Sequence, residues 1–307
     1  METIVQKPTW VDENLYPFES KFFNLPNGQM HFIDEGNGDV LLFVHGTPTW
    51  SFLYRNLIKN LSKDFRCIAI DHLGFGLSRS NGQNPGTPQS HAQNLIALIE
   101  FLDLKDITLV VHDFGGPIGL GAGIHHSGRI KNIVLFNSWL WGTKDNIDAL
   151  KIDKLINGWL GRTLYLNFNF SPKVLLKKGF TDKQKLTKAI HQQYIKPFPD
   201  KASRMPLLNI AKALVGASDW YEEQWHQLDK LTSKNWLILW GTKDEFITTA
   251  YLQKWRKRLL KSKVVEIDAG HFVQEEKPGK AIKNIREFLE THHTSSDHQI
   301  VKTDNNR

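Results

Sequence analysis

Six short, mostly apolar runs recur along the chain, interrupted only by Arg66, Thr108 and Glu266: Val40 to Val44, Phe65 to Ile70, Ile107 to Val111, Ile133 to Phe136, Trp236 to Trp240 and Val264 to Ile267. Runs of this length, rich in β-branched residues and without polar alternation, suit strands covered on both faces. Between them lie the helix-forming stretches Phe52 to Leu61, Ser90 to Phe101, Gly115 to His126 and Lys280 to Thr291. Repeated strand and helix units of this kind build an α/β fold with a mostly parallel central sheet. The start differs: Lys21 to Leu25 and Gln29 to Asp34 flank Pro26-Asn27-Gly28, the signature of an antiparallel hairpin.

The alternation stops from about Trp141 to Leu228, a stretch rich in Lys, Trp and Phe with breaks at Pro172, Pro197, Pro199 and Pro206. An inserted helical cap is the economical reading. The predicted organisation is therefore a first part of the core at 1–138, a helical cap at 139–230, and a second part of the core at 231–292. The polar, aperiodic segment 293–307 reads as a frayed tail.

With 307 residues, 40% of them hydrophobic and 11% aromatic, the composition is that of an ordinary globular enzyme. Nothing approaches the run of about 20 apolar residues that a membrane span needs, so a soluble, unexported, cytoplasmic protein is expected. The single cysteine, Cys67, has no internal partner and reads as a core residue of its strand. The net charge of +7 comes from scattered lysines, thickest from Lys151 to Lys188 and from Lys254 to Lys263. No recognition motif accompanies them, so solvated helix faces are expected rather than a nucleic-acid or membrane surface. The cap's apolar and aromatic composition suits a small hydrophobic substrate, and lysines close to a pocket would steer an anionic one. Nothing in the residue order fixes an oligomeric state.

Open parallel sheets bind ligands at the carboxyl ends of their strands, so the informative residues follow each apolar run. After Val44 comes His45-Gly46-Thr47-Pro48; after Ile70, Asp71-His72-Leu73-Gly74; after Val111, His112-Asp113-Phe114; after Trp240, Gly241-Thr242-Lys243-Asp244; after Ile267, Asp268-Ala269-Gly270-His271-Phe272. Asp113 sits at a strand-to-helix turn with Gly115 and Gly116 beside it, the place of a nucleophile in an α/β-hydrolase. Asp113, Asp244 and His271 follow the order nucleophile, acid, base of that fold. Taken singly, each has a simpler reading: Asp113 as a helix cap, Asp244 as the end of a loop, His271 as a hydrogen-bonded core histidine.

A carboxylate nucleophile needs no activating base and suits displacement at saturated carbon once it is desolvated and aimed. The product is an alkyl ester of Asp113. His271 would deprotonate the water that cleaves it, Asp244 would hold the imidazole tautomer, and the backbone N–H groups of Phe114 and Thr47 would form the oxyanion hole.

Several motifs together resemble the haloalkane dehalogenases over roughly Phe18 to Leu289. They are His45-Gly46-Thr47-Pro48-Thr49-Trp50-Ser51, Asp71-His72-Leu73-Gly74-Phe75-Gly76, the Val111-His112-Asp113-Phe114-Gly115-Gly116 turn, Pro197-Phe198-Pro199-Asp200, Trp240-Gly241-Thr242-Lys243-Asp244 and Ala269-Gly270-His271-Phe272-Val273-Gln274. The resemblance implies an α/β-hydrolase core with a helical cap, no metal or organic cofactor, and cleavage of carbon–halogen bonds to alcohol, halide and a proton. The family's acid follows either of two strands; the earlier position resembles Asn137 here, which leaves Asp244.

Two positions depart from that family. Its nucleophile is followed by a tryptophan whose indole N–H donates to the leaving halide, where this chain has Phe114. Many members carry asparagine or glutamate after His-Gly, where this chain has Thr47. One oriented donor is worth about 2–4 kcal/mol in the transition state, so dehalogenation is expected to be weak or absent. The cap tryptophans Trp139, Trp141 and Trp159 are the candidates for a substitute donor, with Trp139 and Trp159 put in the substrate pocket, although among ten tryptophans packing is the commoner role. Epoxide hydrolases share the aspartate chemistry and take their proton donors from cap tyrosines; Tyr165, Tyr194 and Tyr221 are present without a paired motif. A strained lactone would open without a halide site, and a binding protein that has lost turnover is the competing class.

Three further signals carry less. Gly116-Pro117-Ile118-Gly119-Leu120-Gly121 hints at a dinucleotide loop, but its glycines run into the helix and Asp113 would repel a pyrophosphate. The tail histidines His292, His293 and His298 lack preorganisation for a metal. His112 is expected to point away from the nucleophile and make a structural hydrogen bond.

Overall fold

The runs of the central strands are apolar because those strands are packed on both sides, whereas the edge run Val264 to Ile267 is only partly covered. The computed structural model describes residues 7–82 and 86–300, with 293–300 described by backbone alone. Among them nine strands form one sheet: β1 (Lys21–Leu25), β2 (Gly28–Glu35), β3 (Val40–Val44), β4 (Arg66–Ile70), β5 (Arg79–Ser80), β6 (Ile107–Val111), β7 (Ile130–Phe136), β8 (Asn235–Gly241) and β9 (Lys263–Ile267). Their spatial order is β1-β2-β4-β3-β6-β7-β8-β9, with β5 paired to β2. The hairpin β1/β2 and the β2/β4 and β2/β5 pairs are antiparallel; every pair from β4/β3 to β8/β9 is parallel.

Alternate residues of one strand feed two separate cores. Leu42 and Val44 of β3, and Trp236, Ile238 and Trp240 of β8, join one face; Leu41, Phe43, Leu237 and Leu239 join the other. The helices Pro88–Phe101 and Gly115–His125 cover the first face. Arg55–Leu61 and Pro278–Ile300 cover the second. Cys67 is fully buried on that second face, where burial pushes its thiol up to about 12.

The register sets the level of the site. Val44 pairs with Val111, Val111 with Leu135, Phe136 with Leu239 and Gly241 with Ile267, so five parallel strands end together along one edge. Whatever follows them is gathered there.

Between β7 and β8 the chain leaves the sheet for a set of helices, including Ile147–Asn157, Trp159–Phe168, Lys188–Ile195, Lys201–Gly216 and Ser218–Gln227. Pro206, expected above to break the chain, lies inside Lys201–Gly216. Its ring faces Gly74, where a Cβ would come within 2.5 Å of Pro206 Cγ, so the helix is accommodated by a glycine in the sheet's loops. No helix among the described residues is long and apolar enough to cross a membrane. The final helix continues past Thr291 to Ile300, and residues 301–307 of the expected tail lie outside the described residues. His292 Nδ1 donates to the Phe288 carbonyl of this helix at 2.6 Å.

A buried ion pair ties these helices to the core. The Arg55 guanidinium stacks on Phe52 at 4.0 Å and donates to both oxygens of Glu275, while Tyr194 Oη from the inserted helix Lys188–Ile195 donates to the same carboxylate. Trp50 Nε1 adds a bond to the Gln193 carbonyl at 2.9 Å. Removing one partner of such a pair strands the other charge out of water. Glu275→Ala is therefore expected to lower unfolding free energy by about 3–5 kcal/mol in urea titration. A loss under ~1 kcal/mol, typical of exposed pairs, would contradict this account.

Candidate active site

β6 ends at Val111 and the next helix begins at Gly115, which leaves three residues to reverse the chain. Asp113 takes a left-handed backbone conformation, φ 53°, a conformation that costs a non-glycine residue on the order of 1 kcal/mol. The turn is over-determined by its bonds. Asp113 N donates to the Asn137 carbonyl at 3.0 Å, and its own carbonyl accepts from Ser138 Oγ at 2.6 Å and Gly116 N at 2.9 Å.

Glycines make the close approach possible. A Cβ on Gly115 would lie 2.1 Å from the Val44 carbonyl oxygen, one on Gly116 1.7 Å from Ser138 Oγ, and one on Gly46 2.2 Å from Asp113 Oδ1. Farther along the same helix, a Cβ on Gly119 would meet Val111 Cγ1 at 2.7 Å. That contact is helix-on-strand packing, which accounts for the glycines without a dinucleotide loop.

The three strand-end residues converge. Asp113 is buried; its Oδ1 accepts from Thr47 N at 2.8 Å, and its Oδ2 lies 3.5 Å from His271 Nε2. His271 Nδ1 donates to Asp244 Oδ2 at 2.7 Å. The other oxygen of Asp244 accepts from Phe246 N at 2.8 Å and Ile247 N at 3.1 Å. Asn137 bridges two strand ends: its Nδ2 donates to Asp244 Oδ2 at 2.9 Å and its Oδ1 accepts from Gly241 N at 2.7 Å. It thus orients the carboxylate from the family's alternative acid position.

The histidine is held from three sides. Besides Asp244, His271 N donates to the Gly179 carbonyl of the inserted helices at 2.8 Å, and the His271 carbonyl accepts from His112 Nε2 at 2.9 Å. His112 is fully buried, and burial depresses its pKa to about 3, so it is neutral and serves as a hydrogen-bonding prop. For His271 burial opposes protonation, but the Asp244 and Asp113 carboxylates outweigh it and raise its pKa to about 10. Burial likewise opposes ionisation of Asp244, and His271 outweighs that to hold its pKa below the ordinary value.

Over these groups lies a cavity of about 160 Å³, walled mostly by apolar side chains and reached by Thr47, Asp113, Phe114, Trp139, Tyr165 and His271. No lysine lines it. Phe114 presents its ring there, edge to face with Trp139 at 4.9 Å between centroids. Trp139 Nε1 and Thr47 Oγ1 are buried and reach no hydrogen-bond partner among the described residues. Tyr165 faces the same space beside Ser171, its phenol pushed up to about 12 by burial.

The other cap candidates lie elsewhere. Trp159 is 79% exposed and does not line the cavity, which corrects its expected place in the pocket. It is the first residue of its helix, whose buried residues are Gly161, Tyr165 and Leu166. Trp141 packs against Trp225, Tyr251 and Trp255 at 5.3–5.4 Å. Tyr194 is bonded to Glu275, and Tyr221 donates to the Ala213 carbonyl at 2.9 Å. Sequence reasoning missed Gly179 and Ser171, which no motif marks; Ser171–Leu175 forms a π-helical turn bordering the cavity, a distortion frequent at functional sites.

The raised pKa of His271 has a signed consequence. Because the folded value exceeds the unfolded one of ~6.5, its stabilising contribution is complete below that pH and is lost as pH rises through about 10. Asp113→Asn removes one of the two raising charges, so the imidazole should titrate at lower pH in that variant, and the pH-dependent loss of stability should be smaller and be complete at lower pH. NMR titration of the His271 ring and thermal unfolding across pH test the two. Identical titration in the two proteins would refute the coupling.

The sequence matches the family model described as alpha/beta hydrolase fold over residues 39–278. It is 32% identical over 289 residues to the cis-3-alkyl-4-alkyloxetan-2-one decarboxylase of Shewanella oneidensis, covering 90% of each chain. It is 30% identical over 272 residues to haloalkane dehalogenase 2 of Mycobacterium tuberculosis, covering 88% of this chain and 94% of that one. The crystal structure of haloalkane dehalogenase DbeA from Bradyrhizobium elkani shares the fold with a TM-score of 0.82 at 20% identity, covering 91% of this chain and 99% of that one. The chain belongs to the alpha/beta hydrolase fold family, as a hydrolase of the haloalkane dehalogenase-like type.

Proposed function

We propose that this hydrolase cleaves a carbon–leaving-group bond in a small apolar substrate through a covalent ester on Asp113. One observation carries the reading: a buried carboxylate in a left-handed turn, pinned at Oδ1 by Thr47 N, with Oδ2 open to the cavity and 3.5 Å from His271 Nε2. Desolvation and aim are what a carboxylate nucleophile needs.

Asp113 Oδ2 attacks carbon, the leaving group departs with the bonding pair, and the carboxylate becomes a neutral ester. His271 then loses one of the two charges that held its proton, and its affinity for that proton falls. As the neutral imidazole it takes a proton from water while the oxygen of that water attacks the ester carbonyl. Thr47 N–H, already on Oδ1, receives the developing oxyanion, and Asp244 stabilises the imidazolium. Collapse releases the alcohol and restores Asp113. The sequence needs neither metal nor organic cofactor.

Two leaving groups suit the cavity. A halide would rest on Trp139 Nε1 and Thr47 Oγ1, the lining donors without partners, and a haloalkane dehalogenase is among the relatives. A second reading is favoured by Phe114, which presents no N–H to a halide, and by the oxetanone decarboxylase at 32% identity. In a strained four-membered lactone, attack at the ring carbon bonded to the ring oxygen expels a tethered carboxylate. Relief of ring strain then replaces part of what the missing indole would supply. An epoxide is less well served, since Tyr165 alone of the three cap tyrosines lines the cavity. The intact Asp113, His271 and Asp244 chain speaks against a binding protein without turnover.

Bromoalkanes of several chain lengths and a cis-3,4-dialkyloxetan-2-one are the substrates to try. With whichever reacts, Asp113→Ala should lower turnover by at least ~10³-fold, and His271→Gln should accumulate the alkyl group as added mass on the Asp113 peptide. No such mass with any substrate that the parent enzyme consumes would overturn the nucleophile. Phe114→Trp should raise bromide release by up to ~100-fold if a halide is the leaving group; an unchanged rate would favour the lactone.

A further inference from the structure

A second serine, histidine and aspartate stand in line beside the end of β4. Ser20 precedes β1, His31 lies in β2 and Asp71 follows β4. His31 Nδ1 is 2.8 Å from Asp71 Oδ2, and His31 Nε2 is 3.0 Å from Ser20 Oγ. Both His31 and Asp71 are fully buried. Asp71 is further fixed by Ser51 N on Oδ1 and Leu77 N on Oδ2, each at 2.8 Å. Burial opposes its ionisation, but His31 and these N–H donors outweigh that and hold its pKa below the ordinary carboxylate value.

The Asp71 carboxylate accepts, so His31 Nδ1 donates to it, which aims Nε2 at the Ser20 hydroxyl. That is the spatial arrangement of an activated serine. Ser20 is half-buried and opens onto a cavity of about 340 Å³, larger than the one above Asp113 and sharing no residue with it. Lys7, Arg79 and Lys196 line this space, and no carboxylate among the described residues does. Lys7 Nζ donates to the Tyr16 carbonyl at 3.1 Å.

We propose that Ser20 is the nucleophile of a second site, with His31 as its base and Asp71 as a positioning residue, and that the site takes small esters carrying a carboxylate or phosphate group. Ser20 Oγ bonds to the acyl carbon as its proton passes to His31 Nε2. Collapse of the adduct breaks the ester bond, and the alkoxide leaves with the proton that His31 returns. Water deprotonated by His31 then cleaves the acyl-serine and restores the hydroxyl. The cations lining the cavity hold the substrate's anionic group and the developing oxyanion.

A fluorophosphonate reagent tests the site without reference to Asp113, because it phosphonylates an activated serine with loss of fluoride. Incubated with the full chain, it should add its mass to the Ser20 peptide. Inorganic phosphate should slow the labelling, and His31→Gln should slow it at least tenfold. In an Asp113→Ala background p-nitrophenyl hemisuccinate should still be hydrolysed, and Ser20→Ala should abolish that hydrolysis while leaving turnover at Asp113 intact in the parent. An unlabelled Ser20 peptide in folded protein, or equal labelling in His31→Gln, would overturn the proposal.

Discussion

Backbone meets backbone at the end of β6 more closely than any side chain would permit, and the site is built outward from that contact. Gly115 lies against the Val44 carbonyl and Gly116 against Ser138, and Asp113 beside them takes the left-handed conformation. Its strain is offset by hydrogen bonds to the neighbouring strand end at Asn137 and Ser138. The parallel register then matters because it ends five strands at one level. Residues far apart in sequence, such as Thr47, Asn137, Asp244 and His271, meet Asp113 without any further device.

Electrostatics turns this geometry into a two-stroke site. Two carboxylates flank one imidazole in a buried setting, so the resting histidine holds its proton strongly. Esterification would remove one of those charges at the moment a base is required, so the same side chain would serve the resting and the hydrolytic states without a conformational change. Asn137, Phe246 N and Ile247 N keep the Asp244 carboxylate oriented throughout. The inserted helices contribute more than a roof, since Gly179 bonds His271 directly and Tyr194 is anchored through Glu275 to Arg55.

The same physics recurs where β1, β2 and β4 begin and end. A buried carboxylate fixes a buried imidazole, which in turn faces an oxygen at the margin of a cavity: Asp113 in one place, Ser20 in the other. The cavities differ in lining. One is apolar and receives neutral groups, and the other is ringed by cations. Chemistry at an aspartate and chemistry at a serine would thus draw on different substrates within one fold.

Sequence alone determined the parallel core, because strands buried on both faces must be apolar at every position and their period shows without reference to the rest of the chain. It also marked the residues after each strand, because the topology sends strand ends to one edge. Which aromatic groups face the cavity was a tertiary decision: Trp139, in the loop after β7, and Tyr165 line the pocket, while Trp159, the first residue of its helix, stands in solvent. The bridging of Asn137 to Asp244 and the bond from Gly179 to His271 likewise depend on strand neighbours and inserted helices that residue order does not specify. Asp71 belongs to a motif, but nothing in residue order joins it to Ser20 and His31. They meet because an antiparallel hairpin is laid against β4, and such contacts come into existence only when the chain is folded.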